Sequence, residues 1–349
     1  VIARARTPSV AANMASFGTD HIINPFARFA EYLGLAVASP ERFRLIEMLT
    51  GLPETPLPEP HRPPAGRWIL CGYGRFGHLL ATHLQPAGID LTIIDPGCTD
   101  CVSPPTIRGN GTEAVTLLQA GIEGASGIIA GSDNDVNNLS IAMTASELKP
   151  SLFVVTRQNH SVNNPLFAAY NADFTMVPGR IVAQECIAIL TTPLLAAFLD
   201  LLRERDETWS GALVVRLQAL CDGRTPALWA VKLNIAGAQG AYRALMQGQR
   251  IALGDILRDG TDRSQALPAA TLLIRRGKEL ILLPPDEFLL AAGDELLLAS
   301  SLPARRNLEL TLHNPNELDY VLTGSEVSGS WLWERFMRSS RPDAPAGEP

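Results

Sequence analysis

The chain has 349 residues, 46% of them hydrophobic, and its 29 basic and 36 acidic residues give a formal net charge of −7. This acidic balance offers no field that would attract nucleic acid or anionic lipid, so a nucleic-acid partner is disfavoured. No run approaches the roughly 20 apolar residues of a membrane span, and an odd count of five cysteines fits a reducing compartment. We therefore expect a cytosolic globular protein of about two to three domains.

The start of the chain resembles a later part of it. "VIARARTPSVAANMASFGTDHIINPFARFA" (1–30) aligns without gaps with "VVTRQNHSVNNPLFAAYNADFTMVPGRIVA" (154–183), at a shift of 153 positions that pairs Arg4 with Arg157. The alternative is chance similarity between two alanine-rich segments. If the repeat is real, residues 1–35 are the closing part of a first nucleotide-binding-type domain, and we expect the chain to be a fragment of a longer protein.

A helix and a proline-rich linker are expected over residues 36–66. Each proline of "GLPETPLPEPHRPPAG" removes a backbone donor and fixes φ, so this stretch continues neither a helix nor a sheet. Apolar strands then alternate with amphipathic helices to about residue 177, which favours a parallel sheet covered on both faces. A long apolar helix over Ile181 to Leu202, bent at Pro193, is expected to close a domain spanning residues 67–205.

The pattern changes after residue 205. "ALVVRLQAL", "PALWAVKLN", "TLLIRRGKELILLPP" and "DELLLAS" are interpreted as short strands, with turns at Gly277 and Gly293. We expect a subdomain over residues 206–304 and a polar tail over 305–349. The predicted fold class is α/β: a Rossmann-like doubly wound parallel sheet with a smaller α+β C-terminal subdomain, preceded by a partial second Rossmann-like repeat.

The stretch "CGYGRFG" contains a glycine motif at a predicted strand-to-helix junction. In G-x-G-x-x-G, Gly72 permits the tight turn, Gly74 lets the backbone approach a pyrophosphate, and Gly77 brings the helix close to the strand. The helix N-terminus adds free N–H groups and a positive dipole end. We take these glycines with the intervening Tyr73 and Phe76 as candidate cofactor-binding residues; the alternative is a turn that only packs a helix on a sheet.

A carboxylate follows at the place where a ribose would be bound. Asp95 ends the second predicted strand, 18 residues after Gly77, where such a group accepts hydrogen bonds from a ribose diol. Pro96 and Gly97 follow it rather than an arginine, so a 2′-phosphate would meet repulsion without a partner. NAD(H) or a plain adenine nucleotide is therefore preferred over NADP(H).

Other candidate ligand contacts follow the remaining strands. Arg75 can reach the phosphates as a forked donor, or it is a solvated residue of the first helical turn. Asn110 and Gly111 in "RGNGTE" suit the adenosine side. Ser132 in "AGSDND" either lines the site or caps a helix. Arg157 ends the fifth strand and contacts either phosphate or an adjoining subunit.

These motifs together resemble one known family. "GYGRFG", "IID", "RGNGTE", "GIEGASGIIAGSDNDVNNLSIAMTASELKPSLFVVTRQN", "ADFTMVP" and "AAGDELLLAS" make residues 67 to about 304 similar to the regulator-of-potassium-conductance (RCK) family. The same domains occur in the nucleotide-binding subunits of bacterial Trk and Ktr potassium transporters. Residues 1–35 resemble the end of another such domain, so the parent chain looks tandem. One departure is "DPGCTDCVSPP", which is proline-rich where family members often have a short charged helix.

The resemblance implies a ligand sensor. The glycine turn and Arg75 would take the phosphates, Asp95 the ribose and Asn110 the adenosine side of NAD(H) or of ATP, ADP or AMP. Such domains form homodimers through their Rossmann lobes and crossover helix, here Ile181 to Leu202, and assemble into larger rings. The ring acts on a potassium pore or transporter subunit, here expected upstream in the same parent chain, at the inner face of the cell membrane.

Three other functions compete with this one. An NAD-dependent dehydrogenase needs a proton donor beside the nicotinamide, and the region after residue 205 offers few candidates, chiefly Cys221 and His313. Cys98 and Cys101 form a single C-x-x-C pair, which binds metal or cycles as a disulfide in some proteins but is a weak signal alone. Calcium sensing has no loop signature here. We expect no catalytic residues and no metal site.

Overall fold

The computed structural model describes residues 1–5, 7–57, 62–97 and 104–325. The predicted Cys98 and Cys101 pair lies outside these residues, as does the end of the predicted tail. The chain divides into two compact units. The first comprises Val1–Thr50, Leu57–Thr191 and Leu199–Val215, and the second comprises Gly51–Pro56, Thr192–Phe198 and the residues from 216 onward.

The first unit begins with two short strands and three helices. In chain order these are β1 (Ile2–Arg4), α1 (Pro8–Ser16), β2 (His21–Ile23), α2 (Pro25–Ala38) and α3 (Pro40–Thr50). Asn24 fixes the start of α2 because its side-chain oxygen accepts the N–H groups of Phe26 (3.1 Å) and Ala27 (3.3 Å). Pro25 follows at the first helical position, where its missing N–H costs nothing.

A six-stranded parallel sheet makes up most of this unit. Its elements in chain order are β3 (Gly66–Cys71), α4 (Arg75–Leu84), β4 (Ile89–Ile94), β5 (Thr106–Ile107), α5 (Ala114–Gln119), β6 (Gly127–Ala130), α6 (Asp135–Leu148), β7 (Phe153–Arg157), α7 (Asn164–Tyr170) and β8 (Phe174–Met176). The strands lie in the order β5-β4-β3-β6-β7-β8, which is the 3-2-1-4-5-6 order of dinucleotide-binding folds. The predicted Rossmann-like fold class is confirmed.

The N-terminal segment repeats the pairing of the last two strands of this sheet. β1 and β2 are parallel, with Ala3 opposite Ile22. β7 and β8 are also parallel, with Thr156 opposite Thr175. A shift of 153 positions converts the first pair into the second. The structural register therefore coincides with the sequence alignment of the two segments.

The sheet is buried on both faces, and alternate residues of β3 separate two cores. Trp68 and Leu70 pack with Phe29 of α2 and Leu80 of α4. Ile69 and Cys71 face the opposite side, in a core that α5 and α6 complete. This alternation follows from the two-residue period of a strand. Helix α2 thereby belongs to the core of the Rossmann-like sheet rather than to a separate body.

Three helices follow β8: α8 (Pro178–Thr191), α9 (Pro193–Leu202) and α10 (Glu207–Leu220). The single bent helix predicted over Ile181 to Leu202 is two helices in the structure, since Pro193 cannot continue the hydrogen-bond ladder of α8. The predicted strand "ALVVRLQAL" is wrong, because these residues lie in α10. Ser210, Leu213, Val214 and Leu217 are buried with helical spacing. No helix among the described residues is long and apolar enough to cross a membrane.

The second unit contains a four-stranded antiparallel sheet in the order β11-β10-β12-β9. Its elements are β9 (Ala227–Lys232), α11 (Gln239–Met246), α12 (Leu253–Ile256), β10 (Ala269–Arg276), β11 (Glu279–Leu282), β12 (Glu295–Ser300), α13 (Leu302–His313) and α14 (Pro315–Thr323). Gly277 and Gly293 have φ values of +62° and +90°, as the predicted turns require. The α+β class of this subdomain is confirmed.

The predicted polar tail differs from the structure in its first part. Residues 302–323 form α13 and α14 instead of an extended tail. Ser301 caps α13 by accepting the N–H of Ala304 (3.3 Å). Leu308 and Leu312 of α13 and Leu318 of α14 are at most 1% exposed in the core of the second unit. Their burial makes these helices part of the subdomain.

Candidate nucleotide-binding crevice

A crevice of about 530 Å³ opens at the carboxyl ends of the parallel strands. It lies where the strand order reverses around β3, the position at which open α/β sheets bind ligands. Nine of the eleven predicted residues line it: Gly72, Gly74, Arg75, Phe76, Asp95, Asn110, Gly111, Ser132 and Arg157. Tyr73 and Gly77 belong to the same turn but do not line the crevice.

The three glycines of the turn meet different constraints. Gly72 has φ +99°, which glycine adopts without strain. A Cβ on Gly77 would lie 2.2 Å from the carbonyl oxygen of Gly72, so helix α4 can approach the turn only with glycine there. A Cβ on Gly74 would meet no atom within 4 Å. Gly74 lines the crevice and is exposed, so its backbone is open to an approaching group.

The N-terminus of α4 faces this space without a side-chain cap. Gly74 is the N-cap residue and has no side-chain oxygen for the first N–H groups of the helix, although its carbonyl oxygen accepts the N–H of His78 (3.0 Å). These groups have no partner within a helix, and they carry the positive end of its dipole. The arrangement can bind a phosphate or another anion.

Asp95 supports the turn. One of its carboxylate oxygens accepts the N–H of Tyr73 (2.7 Å), and the other accepts the N–H of Gly97 (2.8 Å). Tyr73 itself stacks on His78, with ring centroids 3.9 Å apart, and so turns its ring away from the crevice lining. The carboxylate predicted for the ribose therefore also holds the glycine turn in position.

The loop at Asn110 and Gly111, which is predicted for the adenosine side, packs tightly against β3. A Cβ on Gly111 would lie 2.6 Å from Sγ of Cys71, so only glycine allows this approach. Burial raises the pKa of the Cys71 thiol to about 12. The thiol stays protonated at neutral pH and supplies no thiolate chemistry to the crevice.

Asn138 joins the ends of β6 and β7. Its side chain is fully buried and makes four hydrogen bonds. Its Nδ2 donates to the carbonyl oxygens of Ser132 (2.9 Å) and Arg157 (2.7 Å), and its Oδ1 accepts from N (2.9 Å) and Oγ (2.7 Å) of Ser132. Both amide donors and the amide acceptor are satisfied. The predicted cap role of Ser132 is wrong, because Asn134 caps α6 by accepting the N–H of Asn137 (3.1 Å).

Arg157 projects into the crevice with few polar partners. Its Nη1 donates to the carbonyl oxygen of Gly131 at 3.3 Å. Its guanidinium carbon lies 4.6 Å from the ring centroid of Phe26 and 5.4 Å from that of Phe76. Within the described residues no carboxylate forms an ion pair with it. Burial is the largest influence on the pKa of Arg157 and lowers it, against the raising effect of Asp133.

Asp135 anchors the loop that follows β7. It is 5% exposed and accepts both the backbone N–H (2.6 Å) and the side-chain amide (2.9 Å) of Asn159, with further bonds from His160 (3.0 Å) and Asn163 (2.7 Å). Burial alone would raise the pKa of Asp135, but these hydrogen bonds together lower it below 3.8. The loop beside Arg157 is thus held by a carboxylate ionised at neutral pH.

Sequence reasoning missed several crevice residues. Asn137 and Ile141 lie one and two turns into α6, and helical spacing from Asp133 is a signal that could have found them. Phe26 also lines the crevice but comes from α2, and no local motif marks it. Among the described residues no group of three His, Cys, Asp or Glu side chains is arranged to hold a metal ion.

Comparison with known proteins gives a family match for the segment that supplies most of this crevice. Residues 68–178 match the family model of the TrkA-N domain. Over 147 residues the chain is 26% identical to potassium channel protein 1 of Methanocaldococcus jannaschii, covering 40% of this chain and 44% of that protein. It is 28% identical over 134 residues to a Trk system potassium uptake protein TrkA homolog of Methanothermobacter thermautotrophicus, covering 37% and 62%. The matches thus span less than two thirds of the length of these relatives.

Two solved structures that align with this chain are of the GsuK channel. The GsuK RCK domain aligns over 89% of this chain and 74% of its own, with 18% identity and a TM-score of 0.43. The GsuK channel bound to NAD aligns over 89% and 62%, also with 18% identity and a TM-score of 0.43.

Proposed function

We propose that this chain, whose residues 68–178 are a TrkA-N domain, is a ligand-sensing regulatory module that controls potassium flux. It binds NAD(H) or an adenine nucleotide in the crevice, at the cytoplasmic side of a potassium channel or transporter. The names of its relatives support the link to potassium transport. One observation carries the nucleotide assignment. The N-terminus of α4 has no side-chain cap, and Gly74 at its N-cap position has no neighbouring atom within 4 Å of a Cβ position.

Each part of a nucleotide has a matching group in this proposal. The α4 N-terminus and the guanidinium of Arg75 take the phosphates, and Asp95 takes the ribose hydroxyls. The loop at Asn110 and Gly111 covers the adenosine side. The solved GsuK channel bound to NAD is a protein of similar fold that holds such a ligand.

The lining of the crevice favours sensing over hydride transfer. A dehydrogenase needs a group that exchanges a proton with its substrate near neutral pH. No histidine, lysine or tyrosine is among the described residues that line the crevice. The Cys71 thiol is protonated at neutral pH, with a pKa of about 12. A regulatory role requires none of these groups.

The mechanism we propose is thermodynamic linkage. A nucleotide that binds one arrangement of a dimer or ring more tightly shifts the assembly toward that arrangement. The shift cannot exceed the difference between its two binding free energies. The potassium pore then responds to the arrangement of the regulatory modules, not to the nucleotide directly.

Calorimetric titration with NAD+, NADH, ATP, ADP and AMP tests this function. We expect saturable binding of at least one nucleotide by the chain and its loss in Gly74→Val, because this change adds a branched side chain to a residue that lines the crevice. Gly179→Val is the matched control: Gly179 lies in the first turn of α8, where a Cβ also meets no atom within 4 Å. Binding that survives Gly74→Val contradicts the site, and oxidation or reduction of the dinucleotides with added hydroxy acids would favour the dehydrogenase.

A further inference from the structure

The crevice is not built from the TrkA-N segment alone. Phe26 lines it, although this residue lies more than forty positions before the domain begins at residue 68. It is the second residue of α2, directly after the capping Asn24 and Pro25. The cap and the proline place its ring at the start of the helix, at the edge of the crevice.

Phe26 meets the guanidinium of Arg157. The 4.6 Å separation between the guanidinium carbon and the Phe26 ring centroid is within the range of a cation–π contact, and the ring of Phe76 lies on the same group at 5.4 Å. The Nε of Arg157 is buried without a hydrogen-bond partner. The guanidinium is thus held by aromatic faces, and its charge is left without an ion-pair partner among the described residues.

Such a cation has a strong preference for an anionic partner. Arg157 is half-buried, and a partly desolvated charge without full hydrogen bonding is costly, so an anion in the crevice would offset part of that cost. The ring contact sets where the guanidinium lies when the anion arrives. A guanidinium held in place loses less freedom on binding than a mobile one.

Contacts other than that of Phe26 hold helix α2 on the sheet, and we call this packed position of α2 its seating. Phe29 and Leu33 lie in the core beneath α4. On the adjoining side, Nε of Arg28 lies 2.7 Å from a carboxylate oxygen of Glu185 in α8. Phe26 therefore keeps its place over Arg157 only while α2 remains seated on the sheet.

We propose that Phe26 is a positioning residue that couples the seating of α2 to the binding of a phosphate-bearing ligand by Arg157. The proposal rests on the proposed nucleotide function of the crevice. By reciprocity, the ligand strengthens the seating of α2 by the factor by which seated α2 strengthens the ligand. Any movement that lifts α2 from α4 lowers the nucleotide affinity of the TrkA-N domain.

The first test measures the affinity for ADP and NAD+ in Phe26→Leu and in its matched control, Phe29→Leu. Both changes remove one aromatic ring from α2, but Phe29 contacts Phe76 (5.9 Å) and does not line the crevice. We expect Phe26→Leu to weaken binding by about 2- to 30-fold, the range that a cation–π contact provides, and Phe29→Leu by less than half as much. In the Arg157→Gln background the Phe26→Leu change should have no further effect. Equal weakening by both leucine variants, or an additive effect with Arg157→Gln, overturns the proposal.

The second test needs no ligand and separates this proposal from the function it rests on. Amide hydrogen exchange of α2 is measured in the free chain, in Arg157→Gln and in the control Arg75→Gln, since both arginines line the crevice. We expect exchange in the first two turns of α2 to accelerate about 2- to 30-fold in Arg157→Gln only. Unchanged exchange overturns the coupling even if nucleotides bind. If Arg157→Gln accelerates exchange in α2 but the chain binds no nucleotide, the coupling between Arg157 and α2 is supported and the nucleotide function is refuted.

Discussion

Replacing Gly77 with alanine should destabilise the first unit without reaching the crevice. The added Cβ would lie 2.2 Å from the carbonyl oxygen of Gly72 and 3.1 Å from its carbonyl carbon. Both are backbone atoms of the Gly72–Tyr73 peptide, whose N–H donates to Asp95 (2.7 Å), and the N–H of Gly72 itself donates to the Ile94 oxygen of β4 (2.9 Å). Relief therefore requires movement of the whole turn rather than of a side chain.

The free energy of unfolding should fall by about 2 kcal/mol in this variant. Overpacking of this kind costs about 1–3 kcal/mol, and we take the upper value because the clash is with anchored backbone. Alanine regains up to about 1 kcal/mol as a better helix former than glycine in α4. Gly74→Ala is the control for stability, since its Cβ meets no atom within 4 Å and Gly74 has an ordinary φ of −75°.

Urea unfolding followed by circular dichroism measures the difference. With a slope of about 2 kcal/mol/M, the midpoint of the transition that includes the first unit should fall by about 1 M in Gly77→Ala. It should stay unchanged in Gly74→Ala, which should instead bind nucleotide more weakly. A wild-type midpoint for Gly77→Ala, or an equal loss in both variants, would refute the assignment of the third glycine to packing and of the second to the ligand.

Three further variants test other parts of the site. Asp95→Ala removes the acceptor for two turn N–H groups and should weaken nucleotide binding at least about tenfold in calorimetry; an unchanged affinity would contradict its role. Asn138→Ala leaves buried partners unpaired at Ser132 and Arg157 and should cost about 3 kcal/mol in urea unfolding; a loss below about 1 kcal/mol would argue against it. Because the pKa of Asp135 is lowered from 3.8, its stabilisation is present above about pH 4 and is lost as the pH falls through the native pKa. Asp135→Asn should therefore reduce stability at pH 7 and flatten the acid dependence below pH 4, and a parallel pH profile would speak against this.

The parallel sheet was predictable because its signals are local. The glycine turn, the short apolar strands and the amphipathic helices between them each occupy one stretch of sequence. The secondary structure of the last part of the chain was harder to predict. The adjacent valines of α10 imitate a strand, and its helical period shows only when Leu213 and Leu217 are seen to be buried together. The polar faces of α13 and α14 dominate the composition of this stretch, so the sequence alone predicts a tail there.

The residues of the candidate site also fall into a group that the sequence predicts and a group that it does not. Residues on the turn and on the strand ends were found from the motif and from the rule that parallel strands present their carboxyl ends at one edge. Phe26 was not found, because only tertiary packing of α2 on α4 brings it to Arg157. The sequence also does not predict the second role of Asp95. Its spacing from the glycine motif indicates a ribose contact, but not the hydrogen bond that it accepts from Tyr73.

The central position of β3 has a consequence for how the first unit folds. This strand is hydrogen-bonded to β4 on one side and to β6 on the other, and β6 begins only at Gly127. The second pairing must wait until the whole α4 to α5 crossover has formed, so it closes a long loop late and slowly. A nascent or truncated chain that ends before Gly127 leaves one edge of β3 without its partner strand. Such a chain should be prone to edge-to-edge aggregation, and the shortest well-behaved version of this domain must reach past β6.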